Sequence, residues 1–380
     1  MPEPARTAAP GAPGAVANSH ATVGDTPPPA SAGAGDARTA AAALEAHTAV
    51  PRRIWPGVAA LAAGLVVLCC ASLIVGAQPL SAGEVLAVFQ GRGGSEATAL
   101  VWEYRLPRTI VAIVVGAALG TAGALIQAFT RNPLADPGII GINAGSALAV
   151  TLCVAFAGMG ATGVLVWPAF GGALLATLAV MLVAGSGRAA ANPLRITLAG
   201  VALAAVLSGI GEAIRLTNAA TFDRMRQWAA GSAAGRDLGD LAQVAPALLV
   251  GIAIALLLAR ALNAMALGDD LAAAVGVNVR LVRLATVGAV ALLVGGAVAV
   301  CGPIGFIGLM VPHACRLIVG NDQRRVIPLS LLAAPVIMLG SDVLSRVILP
   351  GREVPVGVVT AFVGAPVLIA LVTRRKVFAL

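Results

Sequence analysis

The sequence has a single lysine, Lys376, and a single tyrosine, Tyr104, in 380 residues. Aromatic residues make up 3% of the chain and charged residues 11%. So little charge cannot cover the surface of a soluble domain of this length. A phosphate-binding P-loop needs lysine directly after glycine, because the ammonium must reach the β- and γ-phosphates. Lys376 follows Arg375, so the sequence holds no such loop. Any nucleotide chemistry has to come from another chain. Cys69, Cys70, Cys153, Cys301 and Cys315 fall in or beside apolar runs, and no pair has metal-ligand spacing with a histidine nearby. They read as small buried hydrophobes, without a disulfide framework. No catalytic group, metal or cofactor is expected on this chain.

What is abundant is apolar. Hydrophobic residues reach 59% with a mean hydropathy of +0.93, so lipid is the solvent for most of the chain. The 45 glycines suit helices that pack closely where lipid supplies no hydrophobic drive. The net charge of +8 is carried almost wholly by arginines near the ends of apolar runs. That placement fits positive-inside topology rather than a nucleic-acid surface, so no nucleic-acid partner is expected.

Residues 1–51 are rich in Ala, Pro, Gly, Ser and Thr, include Pro27-Pro28-Pro29, and lack apolar periodicity. They predict a disordered cytoplasmic tail. Residues 52–380 predict one transmembrane domain, an all-α integral membrane fold of about ten spans. Apolar runs near spanning length fall at 54–76, 108–129, 138–157, 164–185, 196–214, 244–262, 281–301, 303–319, 327–347 and 356–373. An even number puts both termini on one side, and Arg52, Arg53, Arg374, Arg375 and Lys376 mark that side as the cytoplasm of a bacterial inner membrane. Loops 130–137, 186–195, 263–280 and 320–326 would then also be cytoplasmic. The charge bias is incomplete, because Arg92, Arg105, Arg108, Arg224, Arg226, Arg236 and Arg352 fall outside.

Several motifs can be weighed on their chemistry. Gly158-Met-Gly160-Ala-Thr-Gly163 matches G-x-G-x-x-G but follows a membrane span, so it reads as a turn. His313 stands alone beside Pro312, and a proton relay would need a carboxylate partner within a span. Glu212 and Asp342 each have a nearer cation, Arg215 at i+3 and Arg346 at i+4, which share a helix face with them. An ion-coupled transporter or a membrane enzyme would want unpaired mid-span acids or clustered polar groups, and neither pattern is present. In the loop 263–280, Asp269 or Asp270 can cap a short helix, Leu271 to Val275 can form it, and Gly276 can end it. Such a capped apolar helix between two spans suits docking into another protein's groove. Gly302, Gly305 and Gly308 recur at every third residue beside Pro303 and Pro312, which predicts a close-packing face on a broken helix.

From about Arg105 onward, ordered motifs resemble the FecCD-type permeases of ABC importers for iron–siderophores, haem and cobalamin. They are Arg105-Leu-Pro-Arg108; Gln127 with Arg131-Asn-Pro-Leu-Ala-Asp-Pro-Gly138; Leu198 to Leu203; Leu267-Gly-Asp-Asp270 with Val275-Gly-Val277; Gly305 to His313; and Pro355 to Ala361 with Gly364-Ala-Pro366. The resemblance implies two permease subunits around a central pathway, an ABC ATPase dimer on the cytoplasmic side, a substrate-binding protein outside, and membrane lipid around. It implies that Gly268, Asp269, Asp270, Ala273 and Gly276 belong to a coupling helix that meets the ATPase. It places Arg105, Arg108 and Arg346 among arginines that pair with acidic groups of the binding protein. Asn132 and Leu134 fall where the family narrows its pathway, and Trp228, in segment 215–236, falls at the outer gate. Trp228-Ala-Ala-Gly-Ser-Ala-Ala-Gly-Arg236 is similar to a stretch common among siderophore permeases, whereas Asn192-Pro-Leu194 lacks the small hydroxyl residues of some cobalamin-type members. Ferric siderophore is therefore the expected cargo, with cobalamin or haem as alternatives.

Overall fold

The computed structural model describes residues 54–76, 78–158, 162–184, 193–349 and 352–373. The tail 1–51, the flanking Arg52, Arg53 and 374–380, the middle of the glycine motif at 158–163, and Arg188 and Asn192 lie outside the described residues. Among the described residues the chain is helical apart from its turns and one isolated bridge, Leu349 to Arg352.

In order, the chain forms α1 (Ile54–Ile74), α2 (Ala82–Phe89) and α3 (Ser95–Ala99). A π-helical turn (Leu100–Arg105) then runs into α4 (Leu106–Thr130), and a 3-10 turn (Pro137–Ile140) leads to α5 (Ile142–Phe156). Next come α6 (Thr162–Ala184), α7 (Pro193–Thr217), α8 (Ala219–Ala229), α9 (Leu238–Ala266) and α10 (Asp269–Ala274). The chain finishes with α11 (Val279–Cys301), α12 (Ile307–Val319), α13 (Gln323–Ser345) and α14 (Val356–Thr373). Among the described residues, seven helices are long and apolar enough to cross a membrane by length and composition, and three shorter apolar ones, α5, α12 and α14, bring the total to the expected ten.

Three features depart from the expected spans. Segment 77–107, expected as a plain loop, contains α2 and α3. Ser81 starts α2 with a capping box, its hydroxyl accepting from the Glu84 N–H while the Glu84 carboxylate accepts from the Ser81 N–H at 2.7 Å. Span three begins at Ile142 rather than 138, because Pro137 opens a 3-10 turn instead. Span eight begins at Ile307 rather than 303, and residues 302–306 are not helical. Pro303 has no N–H to give a helix, and Phe306 adopts a left-handed φ of 69°.

α4 is the hub. It packs against α13, α11, α12 and α9, and 78% of its most apolar stretch is buried, against 6% for α1 at the periphery. Small residues on α4 allow this crowding. A Cβ on Gly120 would stand 2.4 Å from the Ala334 Cβ on α13, and one on Gly123 would stand 1.9 Å from the Gly308 carbonyl oxygen on α12. Backbone meets backbone there, so neither side has a flexible side chain to move. Of the expected triplet, Gly302 and Gly308 make close approaches while Gly305 faces open space. The interval of three fails because 302–306 is not a helix.

Gly123→Ala is therefore expected to lower stability by at least about 1–3 kcal/mol, read as a lower thermal midpoint in detergent. Gly64→Ala on α1, where a Cβ meets nothing within 4 Å, should be neutral or stabilising by up to about 1 kcal/mol. Equal midpoints for the two variants would contradict this packing.

Candidate functional site

The polar groups of the bundle gather at its two ends. At one end the C-terminus of α1 leaves carbonyls that no later turn can satisfy. Arginines from two other elements fill that role. Arg105 Nη1 donates to the carbonyls of Leu73 at 2.5 Å and Ile74 at 2.9 Å, and Nη2 donates to Gln78 O. Arg346, at the end of α13, donates to Ser72 O at 2.7 Å and Val75 O at 3.1 Å. Cations at a helix C-terminus also meet the negative end of its dipole.

Asp342 sits at the centre of this end with its side chain fully buried. It takes Arg108 at 3.0 Å and Arg346 at 2.5 Å, so α4 and α13 are bound through one carboxylate. Arg108 also reaches Glu353, in the connection to α14, at 2.6 Å. Ser72 and Thr109 share a hydrogen bond of 2.7 Å and complete the contact between α1 and α4. The i+4 pairing of Asp342 with Arg346 is as the sequence reads, and Glu212 pairs with Arg215 at 2.8 Å as expected. Arg108, 234 positions from Asp342, has no spacing signal that could announce it. Glu353 and Ser72 are likewise invisible to sequence reasoning.

The three arginines expected to face a partner are thus engaged inside the molecule. Arg105, Arg108 and Arg346 are buried. They nonetheless line a cleft of about 760 Å³, which Glu103, Arg236 and Glu353 also border.

At the other end lies α10. Gly268 is its N-cap residue, with φ 119°, and makes no side-chain cap. The expectation that Asp269 or Asp270 caps the helix is therefore corrected. Both lie in the first turn, and Asp269 instead receives Arg131 at 2.7 Å and Arg283 at 2.5 Å. These pairs tie α10 to the end of α4 and the start of α11. Gly276 ends the helix as expected, with φ 86°, its N–H reaching Ala273 O while the Val277 N–H reaches Ala272 O. Asp270, Ala273 and Gly276 are exposed, as are Leu267, Leu271 and Val275.

Asn132 and Leu134 lie on the turn that follows Arg131. The Asn132 side chain accepts the Leu134 N–H at 2.9 Å, an Asx turn, and Arg131 itself has a left-handed φ of 51°. In the next turn, burial pushes the Asp136 carboxyl up from its ordinary range, opposed by the Gly138 N–H that it accepts. The Asn132–Leu134 turn and the short helix are thus linked through Arg131 and Asp269.

Trp228 is buried on α8. Its motif is a wedge between segments. Gly231, with φ 68°, would bring a Cβ to 2.3 Å from Pro303 O, and the Ser232 N–H donates to Cys301 O at 2.7 Å. One turn before Arg131 on α4, the buried Gln127 bonds Gly308 O and Leu309 O through Nε2 and accepts from Arg316 Nη1. Sequence reading quoted Gln127 but passed over Arg316. His313 is buried beside it, with no carboxylate within 4 Å and no hydrogen-bond partner among the described residues, so nothing there forms a relay.

Residues 64–374 match the FecCD transport family. The chain belongs to that family. It is similar to the ferric enterobactin transport system permease protein FepD of Escherichia coli, with 46% identity over 333 residues, covering 87% of this chain and 98% of the relative. The probable siderophore transport system permease protein YfiZ of Bacillus subtilis is 38% identical over 306 residues, covering 80% and 92%. The hemin transport system permease protein HmuU of Yersinia pestis is 35% identical over 284 residues, covering 73% and 84%. In three dimensions the chain resembles an inward-facing metal-chelate type ABC transporter with a TM-score of 0.73 at 28% identity, covering 83% of this chain and 98% of that one. This FecCD chain is therefore a multi-pass permease of the ABC importer type.

Asp342→Asn takes the buried anion from Arg346 and leaves Arg108 with Glu353 alone. It is expected to cost about 3–5 kcal/mol, seen as a sharp fall in thermal midpoint or loss of folded protein. Glu353→Gln removes a half-exposed partner and should cost less than about 1 kcal/mol. The reverse order would contradict the central role of Asp342.

Proposed function

We propose that this chain is the membrane-spanning permease of an ATP-driven importer of ferric siderophores, working by alternating access and relying on a separate ABC ATPase for hydrolysis. The observation that carries the reading is α10: a short helix between two spans, with Leu267, Leu271 and Val275 exposed around it, pinned through Asp269 to α4 and α11. An apolar knob of this kind fits a groove on a partner. Its two ion pairs give a partner's movement a route into the bundle. Arg131 leads directly to Asn132 and Leu134 at the narrow part of the pathway, and Arg283 leads into α11.

In this reading the α10 end and both termini face the cytoplasm. The arginine cleft faces outward, where Arg105, Arg108 and Arg346 would receive a substrate-binding protein. A second permease subunit completes the pathway, and Trp228 lies near its outer gate. Cargo is assigned as ferric siderophore because FepD, named for ferric enterobactin, and YfiZ, named for siderophore transport, are more similar to this chain than HmuU, named for hemin.

Two substitutions at α10 test the coupling. The Asp269 side chain is about 40% exposed, so Asp269→Ala should change stability by no more than about 1 kcal/mol. Uptake of radiolabelled ferric siderophore should nevertheless fall several-fold at unchanged membrane insertion. Leu271→Glu should weaken co-purification of the ATPase. Wild-type uptake and ATPase association in both variants would sink the assignment.

A further inference from the structure

Two cavities meet at Arg236. One is the arginine cleft, where the cations are balanced by Glu103, Asp237 and Glu353. The other, of about 410 Å³, lies against α8 and is lined by Arg224, Gln227, Trp228 and Arg236 above an apolar floor that includes Val150 and Leu165. The cavities share Ala234, Gly235 and Arg236.

Their electrostatics differ. The charged residues lining the α8 cavity are both arginines. Among the described residues neither Arg224 nor Arg236 has a carboxylate within 4 Å, although every arginine of the Asp342 network does or caps a helix end. Arg236 makes one long hydrogen bond, from Nε to Ser232 O at 3.5 Å. Among the described residues its terminal nitrogens make no hydrogen bond, and Asp240 acts on it through space without an ion pair within 4 Å.

The backbone that carries Arg236 is held on both sides. Before it, the Ser232 N–H is fixed to Cys301 O, and the Ser232 hydroxyl accepts the Ala234 N–H at 3.1 Å. After it, Asp237 caps α9 by accepting the Asp240 N–H at 2.8 Å. A fixed backbone spares the cost of ordering the loop on binding, and the planar fork of the guanidinium matches anionic oxygens. Trp228 adds an aromatic surface for an apolar or aromatic ligand part. The volume is on the scale of small-molecule sites.

We propose that Arg236, assisted by Arg224, reads the negative charge of an incoming ferric chelate, so that this chain favours anionic chelates over neutral ones of similar size. The proposal rests on the reading of the chain as a ferric-siderophore permease. It adds a selectivity determinant within the membrane subunit itself.

The test uses the assembled importer, with its ATPase and binding protein, reconstituted in lipid vesicles and supplied with an anionic ferric tris-catecholate. Arg236→Gln should lower uptake at sub-saturating chelate about tenfold, the loss of one charge-assisted contact, with ATP hydrolysis unchanged. Arg236→Lys should recover part of it. In parallel, quenching of tryptophan emission by the chelate is titrated on the permease in lipid discs, with Trp228→Phe marking the local signal. The anionic chelate should quench at a lower concentration than a neutral ferric tris-hydroxamate, and Arg236→Gln should remove that preference. Wild-type uptake by Arg236→Gln, equal quenching by the two chelates, or loss of ATP hydrolysis in both Arg236 variants would each overturn the proposal. A wild-type importer that carries neither ferric chelate would instead overturn the functional reading beneath it.

Discussion

The structure depends on one buried carboxylate. Asp342 is fully enclosed near the end of α13, and enclosure of a lone charge would be prohibitive. Two guanidiniums make it tolerable, and each then has donors left for other work. Arg346 directs them at the carbonyls that close α1, and Arg108 directs one at Glu353. α1 lies at the periphery, with Val58, Leu61, Leu65, Leu68 and Cys69 half-buried against the core. Its C-terminal end is fixed by hydrogen bonds to arginines, one of which, Arg346, is itself held by Asp342. Arg105 continues the same logic from the π-helical turn before α4. An ion cluster thus does at this end what apolar contact does in the middle of the bundle.

The middle has the opposite problem, since lipid offers no reward for bringing apolar helices together. Association there rests on close fit, and close fit rests on missing side chains. α4 carries Gly116, Gly120 and Gly123 on one face, which lets α13 and α12 approach to backbone contact. That approach also makes room for Gln127 to bond the carbonyls at the start of α12. Those carbonyls belong to a helix that begins inside the bundle, after the break at 302–306. A broken span is tolerable at membrane depth where protein satisfies its backbone. Ser232 satisfies the Cys301 carbonyl that the break leaves open, and Gln127 bonds the Gly308 carbonyl, for which Pro312 has no N–H to offer, together with that of Leu309.

The spans were legible because bilayer thickness imposes a length on apolar runs, and that constraint is local in sequence. Pairs within a turn, such as Asp342 with Arg346 and Glu212 with Arg215, were legible for the same reason. Gly276 could be read as a helix end because its left-handed φ has a residue preference. What could not be read was nonlocal. Arg108 finds Asp342 across 234 positions, and Asp269 turns from a cap into a clasp because Arg131 and Arg283 arrive from other helices. The break at 302–306 was half legible: Pro303 pointed to it, but Phe306 with positive φ has no compositional signature. α2 was missed because eight residues in an outer segment give too short a period to stand out.

The two ends differ in a way that bears on how such a molecule moves. At the arginine end the central acid is wholly buried, so its pairs act in low dielectric and are little screened by salt. Breaking them leaves stranded charges, which makes that end costly to rearrange. At the α10 end Asp269 and Arg131 are both part exposed, so water can replace that pair at modest cost, while the more buried Arg283 keeps Asp269 in place. Arg131 also closes α4 in a left-handed conformation, so the helix is already released from its regular path there. A cycle driven by a partner at α10 needs contacts strong enough to transmit a push and weak enough to re-form on each turnover. Half-exposed ion pairs meet both conditions, and a buried pair such as Asp342 with Arg108 meets the first alone. Under the proposed coupling role of α10, lever and anchor are distinguished by solvent exposure rather than by the residues that build them.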